Sequence, residues 1–353
     1  MTALSARPGT RPPHPFSGSR YAGFLVAMVL ALVLITVLAV CIGAADVAAA
    51  DVVGVVWAHV PGTDWTVDPI LDRIVWDLRL PRVVLACVAG TGLALAGAVL
   101  QAVVRNPIAD PYVLGVGAGA SLGAVLVMSV GAGAAVVGVP TAAFLGALAA
   151  LAAVLVLGRR AGTLVPVRMV LSGVAIGYLL SAATSYVQLR TDPTQLSGVL
   201  FWLLGSVSGA SWSELAVPLV AVAAGTAVLF AYARPLNALS LGDESAATVG
   251  VDVRRTRWIL LVVASLLTGV VVAVAGGIGF VGLLVPHAVR LLVGADHRRL
   301  LPASALTGAV FLVAVDLAAR TLDAPNELPL GIITAVLGAP FFLWLMRREA
   351  GPE

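Results

Sequence analysis

Ten apolar runs follow one another along this 353-residue chain, near 22–43, 83–104, 112–132, 138–157, 167–188, 214–233, 258–275, 277–294, 301–319 and 329–346. Each is close to the roughly 20 residues that a helix needs to cross a bilayer. The links between them are too short to hold a large soluble domain. With 60% of residues apolar and 11% charged, the chain is restricted to one all-α polytopic membrane domain of ten transmembrane helices.

The seventh and eighth runs need a separate argument, because Ile259 to Val293 is almost unbroken apolar sequence. At about 1.5 Å per residue it is too long for one span, and Gly276, Gly277 and Gly279 supply the natural break. Arginine tests the break, since positive charge collects in cytoplasmic loops. Ten spans with the N-terminus inside place sixteen arginines inside and five outside, whereas fusing the pair gives twelve and nine. The expectation is therefore a disordered cytoplasmic tail over 1–20, a ten-helix transmembrane domain over 21–348, and a second cytoplasmic tail over 349–353.

All 21 basic residues are arginine. A chain without lysine has no GxxxxGK[ST] phosphate loop and no Schiff-base nucleophile, so any ATP hydrolysis must come from another polypeptide. The expectation is a chain that is not an enzyme. Cys41 and Cys87 lie in apolar runs and read as small buried hydrophobes. His14, His59, His287 and His297 include no pair at helical metal-ligand spacing, so no metal or cofactor is expected on this chain.

Two links are longer than a hairpin needs. Residues 46–82, expected outside, carry six aspartates, with Trp57, Trp65 and Trp76 suited to the membrane interface. Residues 234–257, expected inside, mix four arginines with Asp243, Glu244 and Asp252, and Gly242 and Gly250 bracket room for one or two helical turns. A partner surface and a solvated loop both satisfy that pattern.

Within the spans, Gly115, Gly119 and Gly123 form a small-residue face for close helix approach. In the fifth run Tyr178, Ser181, Thr184, Ser185 and Gln188 recur at three- and four-residue spacing, placing polar groups on one helical face. Such a stripe either bonds neighbouring helices or lines a wet path. Arg190 sits just beyond it, as an interfacial anchor or an attractant for anions. Among the outer arginines, Arg79 and Arg82 flank Pro81, and Arg320 closes the ninth run. Exposed guanidinium groups suit a partner's carboxylates, but Asp316, one turn before Arg320, competes for it.

Several ordered motifs then carry a resemblance over nearly everything after residue 70. Arg79-Leu80-Pro81-Arg82 leads to Gly97-Ala98-Val99-Leu100-Gln101 and Arg105-Asn106-Pro107-Ile108-Ala109-Asp110-Pro111. Phe201-Trp202-Leu203-Leu204-Gly205, Leu241-Gly242-Asp243, Gly277-Ile278-Gly279-Phe280-Val281-Gly282-Leu283 with Pro286-His287, Glu327-Leu328-Pro329-Leu330-Gly331 and Gly338-Ala339-Pro340 follow. The chain resembles the FecCD/BtuC family, the permease subunits of type II ABC importers for iron-siderophore complexes, haem and cobalamin.

The resemblance implies a BtuC-like ten-helix permease in a bacterial cytoplasmic membrane. It implies a second permease subunit, the same chain or a paralogue, two ABC ATPases on the cytoplasmic side carrying ATP and Mg, and a solute-binding protein outside. Carried over by residue, Arg79, Arg82 and Arg320 match docking arginines for that binding protein. The segment Leu236 to Asp252, with Leu236, Leu241, Gly242, Asp243, Glu244 and Gly250, matches the ATPase-coupling loop. The fifth run matches a helix of the translocation path. Val165, Pro166 and Val167 stand where the cobalamin permease has small hydroxyl residues at its inner gate, a departure that weakens a cobalamin assignment. The expected cargo is a ferric siderophore, with haem or cobalamin as alternatives. An ion-coupled transporter would need a carboxylate near the midplane, for which Asp316 is the one candidate, and an anchor or receptor would bind without transport.

Overall fold

Almost every apolar run forms a helix, as it must where lipid offers no partners to the backbone. The computed structural model describes residues 18–43, 45–62, 66–130, 138–160 and 163–349. In chain order these form α1 (Gly18–Cys41), α2 (Ala49–Ala58), α3 (Pro69–Asp72), a π-helical stretch (Arg73–Arg79), α4 (Leu80–Val104), a 3-10 turn (Pro111–Leu114), α5 (Val116–Val130) and α6 (Val139–Leu157). The antiparallel pair β1 (Arg159–Arg160) and β2 (Thr163–Leu164) follows. Then come α7 (Pro166–Arg190), α8 (Pro193–Leu203), α9 (Trp212–Ala231), α10 (Ala233–Ser240), α11 (Asp243–Thr248), α12 (Val253–Ala275), α13 (Val281–Val293), α14 (His297–Thr321) and α15 (Leu330–Glu349).

Among the described residues, seven helices are long and apolar enough to cross a membrane, and α5, α13 and α15 are shorter apolar helices lying on three of the ten expected runs. The shortness of α13 has a visible cause. A Cβ on Gly97 of α4 would sit 1.8 Å from the carbonyl oxygen of Gly282, and Gln101 donates to the carbonyls of Gly282 and Leu283. Gly97 lies about 10 Å from the end of α4 at Val104, so α13 starts deep in the bundle rather than at its far face. The break before it, with Gly276 and Phe280 at positive φ, is held by protein: Tyr112 accepts from the Ile278 N–H, and Ala275 accepts from Ser206. Irregular backbone at this depth is tolerated when its polar groups are satisfied in this way.

Helix α4 is the hub, buried along almost its whole length and packed by α14, α12, α13 and α9. Where α4 meets α14, a Cβ on Gly90 would lie 2.1 Å from the Gly308 carbonyl oxygen, so glycine on both helices sets the approach. One expectation about the links is corrected. Residues 69–82 are not loop: α3, the π-helical stretch and α4 form one continuous run, Pro69–Val104. Trp76 stacks on His59 at 3.7 Å and accepts, through its carbonyl, from the Trp212 indole. Helix α1 begins at Gly18, inside the expected tail, while residues 1–17, Trp65 and 350–353 lie outside the described residues. The starts of α1 and α14 meet, the Tyr21 hydroxyl donating to the Arg299 carbonyl. This end of the bundle, where α15 also finishes, is the terminal end.

Candidate functional site

At the end opposite the termini, the three arginines singled out by sequence converge on one cavity of about 520 Å³, shared with Gly43, Leu78, Ser208 and Glu327. They are brought there by different elements: Arg79 ends the π-helical stretch, Arg82 lies in the first turn of α4, and Arg320 in the last turn of α14. None projects freely. Arg79 donates to the carbonyls of Val40 (2.6 Å), Cys41 (3.0 Å) and Ala45, and Arg320 to those of Ala39 (2.6 Å) and Ile42 (3.4 Å). Ala39, Val40 and Cys41 lie in the last turn of α1, whose carbonyls lack intrahelical partners, and cations at a helix C-terminus are favoured there.

Arg82 donates to Asp316 Oδ1 (2.9 Å) and Glu327 Oε1 (2.7 Å), while Arg320 Nε lies 3.4 Å from Asp316 Oδ2. The pairing of Asp316 with Arg320 expected from their spacing is present. Sequence reasoning missed that Arg82 and Glu327 belong to the same network, because those contacts join residues more than 230 positions apart. Asp316 is wholly buried and lies about 28 Å along α14 from its start. It is therefore near one end of the helix and held by two guanidinium groups, not a free carboxylate at mid-depth.

At the terminal end, the expected coupling segment folds as α10 and α11. Leu236 and Leu239 turn inward, whereas Leu241 is 77% exposed and Val249 is exposed beside it. Gly242 and Gly250 take positive φ, +118° and +81°, a conformation that favours glycine. Asp243 receives Arg257 of α12 at 2.7 Å and Arg105, just past α4, at 3.5 Å, and Glu244 is exposed. Asn237, absent from the sequence reasoning, fastens α10 to the start of α14. Its Oδ1 accepts from the backbone N–H and the ring Nδ1 of His297, and its Nδ2 donates to Asp296. Burial works against ionisation of Asp296, but the Asn237 and Arg298 N–H donors and the charges of Arg298 and Arg299 hold its carboxyl below the usual range. A lone asparagine in a polar segment gives no sequence signal of this joint.

Between the two ends runs α7, one of the least buried long helices. Tyr178 is 77% exposed, Ser181 and Ser185 are exposed, and Gln188 is half-buried. Thr184 departs from the stripe: it is buried and donates to the Leu180 carbonyl at 2.8 Å. Val165 caps α7, Pro166 opens it, and Val167 is 68% exposed. By helical geometry Val167, Leu171, Val174, Tyr178, Ser181, Ser185 and Gln188 share one face. That face is apolar toward the terminal end and polar toward the arginine cavity. Val167 and the stripe, read separately in sequence, are two ends of one surface.

The model of the FecCD transport family matches residues 30–348. The chain belongs to the FecCD transport family. It is 49% identical over 274 residues, 78% of its length and 73% of the relative's, to the cobalamin import system permease protein BtuC of Halobacterium salinarum. It is 41% identical over 288 residues, 81% of its length and 89% of the relative's, to the Fe(3+) dicitrate transport system permease protein FecD of Escherichia coli. Other FecCD relatives are named for hemin and iron(3+)-hydroxamate. A solved structure described as an inward-facing metal-chelate type ABC transporter superposes with a TM-score of 0.81 at 33% identity, covering 93% of this chain and all of that one. As a FecCD member the chain is a multi-pass membrane permease subunit of the ABC-importer class, a transport component.

Proposed function

We propose that this permease carries ferric-siderophore complexes inward across a bacterial cytoplasmic membrane, with both termini on the cytoplasmic side. The observation that carries the reading is the α7 face: a long, unpartnered helical surface that grades from hydroxyl-bearing to apolar. The exposed α15 residues Val336, Leu343 and Trp344 add apolar surface suited to a second permease subunit, the path running between the two. An apolar inner constriction at Val165, Pro166 and Val167 excludes water and ions when closed and admits a bulky chelate when open. A second reading, cobalamin, is favoured by the 49% identity to a cobalamin permease.

Two ATPase subunits, carrying ATP and Mg, would seat on Leu241, Val249 and Glu244 at the terminal end, and a solute-binding protein over the arginine cavity at the other. Docking glutamates would then compete with the α1 carbonyls for Arg79 and Arg320. ATP-driven closure of the ATPase pair would reach the bundle through α10 and α11, and rearrangement around α7 would alternate access.

The test is uptake into vesicles holding the permease, its ATPase and its binding protein, with [55Fe]ferrichrome and [57Co]cyanocobalamin offered in parallel. ATP-dependent accumulation of iron alone supports the siderophore reading; accumulation of cobalt alone replaces it with the second. Uptake that persists with an inactive ATPase and collapses with an uncoupler would sink both. Arg79→Glu with Arg320→Glu should abolish stimulation of ATPase activity by the binding protein while basal activity stays. Unchanged stimulation would remove these arginines from docking. Gly242→Pro, which forces φ from +118° to about −65°, should release the ATPase during purification.

A further inference from the structure

Helix α2 belongs to none of the ten apolar runs, yet it presents apolar side chains at the surface. Val53, Val56 and Trp57, with Val60 in the turn just past the helix, stand at i, i+3, i+4 and i+7 spacing, and all four are exposed, Val53 at 66% and Trp57 at 55%. At about 100° per residue they form a single row along the helix. The inward face is a different one: Val52 and Val55 are buried, and His59, at the end of the helix, stacks on Trp76 at 3.7 Å. Asp51 is the one charged residue of α2, and the same geometry puts it almost opposite the apolar row. The helix thus has one side against protein, one apolar side and one polar side.

Its two ends fix its height. At the first, the Val47 N–H donates to the Cys41 carbonyl, so α2 starts beside the end of α1, a largely exposed helix long and apolar enough to cross the membrane. At the second, Trp76, beneath His59, accepts through its carbonyl from the indole of Trp212, the first residue of the spanning helix α9. Both ties are made where a spanning helix reaches the bilayer surface, on the side away from the termini. Helix α2, about 15 Å long, therefore lies across that surface instead of projecting from it. A helix lying there with protein along one side meets lipid beneath and water above, and the apolar row and Asp51 are divided in the same way. None of the four exposed residues lines the arginine cavity.

We propose that α2 is an interfacial anchor, its row of Val53, Val56 and Trp57 seated among the phospholipids of the leaflet on the arginine-cavity side, at the boundary of headgroups and acyl chains where tryptophan is favoured. The seat bears on the cavity. Gly43 and Ala45, in the link from α1 to α2, line it, and the carbonyls of Ile42 and Ala45 accept from Arg320 and Arg79. Anchoring α2 holds that wall of the cavity at the membrane surface, whatever solute the permease carries.

The experiment is collision-accessibility electron paramagnetic resonance on the full-length chain in liposomes of phosphatidylcholine and phosphatidylglycerol. Nitroxides are placed singly through Asp51→Cys, Val53→Cys and Val56→Cys, with Cys41→Ala and Cys87→Ala removing the native thiols. Molecular oxygen concentrates in the bilayer and a neutral nickel chelate stays in water, so the ratio of oxygen to nickel collisions reads immersion. That ratio is expected to be about fivefold higher at the Val53 and Val56 positions than at the Asp51 position. Equal ratios at all three, or nickel-favoured collisions at Val53 and Val56, would overturn the proposal. Loss of both kinds of collision at Val53 and Val56, in the permease alone or on addition of its binding protein, would show that protein covers the row, and overturns it equally. On the unaltered chain, a phosphatidylcholine carrying a diazirine at the top of its acyl chain should label the segment 49–60 on irradiation. A segment that stays unlabelled while α1 is labelled counts against the anchor without recourse to any variant.

Discussion

Replacing Asp316 by asparagine tests the arginine network with almost no change of shape. The carboxylate is wholly buried, 2.9 Å from Arg82 Nε and 3.4 Å from Arg320 Nε. The amide keeps the volume, removes the charge and turns an N–H₂ group toward at least one guanidinium. Breaking a buried ion pair in this way costs about 3–5 kcal/mol, because the surviving partner stays buried and uncompensated. The lower end applies here, since Glu327 remains on Arg82 and the α1 carbonyls remain on Arg320. A loss of about 3 kcal/mol is roughly a hundredfold in the ratio of folded to unfolded chain. Reversible unfolding in mixed micelles measures it, together with Arg320→Gln and the double variant. Because the two groups share one interaction, the double variant should be milder than the summed singles by about 1 kcal/mol or more. A cost for Asp316→Asn near zero, or single-variant costs that simply add, would refute the claim that this carboxylate holds the opposite end of α4 and α14 together.

Further predictions concern packing, coupling and the path. Gly97→Val should abolish accumulation of folded chain, since even a Cβ there would meet the Gly282 carbonyl at 1.8 Å, whereas Gly177→Val, with nothing within 4 Å, should accumulate normally; expression and gel filtration separate the two. Asn237→Ala removes three hydrogen bonds at the α10–α14 joint, each worth about 1 kcal/mol. It should lower binding-protein-stimulated ATP turnover about tenfold while leaving chain abundance unchanged, as measured in proteoliposomes. Ser181→Leu with Ser185→Leu should depress the maximal rate of solute uptake without loosening the ATPase complex, which co-purification and transport assays read independently.

The distribution of functional groups along the chain was legible for local reasons. The arginines of Arg79-Leu80-Pro81-Arg82, the stripe on the fifth run and the glycine-bracketed segment 234–257 are each short patterns with a period or spacing of their own. What those arginines touch was not legible. Arg79 and Arg320 hold carbonyls of α1, and Arg82 holds Asp316 and Glu327, contacts that depend on how helices distant in sequence are juxtaposed. Thr184 shows the same limit on a smaller scale: spacing put it with the polar stripe, and packing buries it, with its hydroxyl on the Leu180 carbonyl.

Apolar runs, arginine placement and the absence of lysine together determined that the chain is an all-helical membrane protein without a phosphate loop, because bilayer thickness and backbone satisfaction act on composition directly. Tertiary structure alone decided that α13 begins deep in the bundle against Gly97, that the link before α4 is helix, and that Arg82 joins Asp316 and Glu327. Hydropathy reports how much of a segment prefers lipid. It carries no information on where one helix starts relative to another, and that offset is set by glycine contacts and buried hydrogen bonds between segments far apart in the chain.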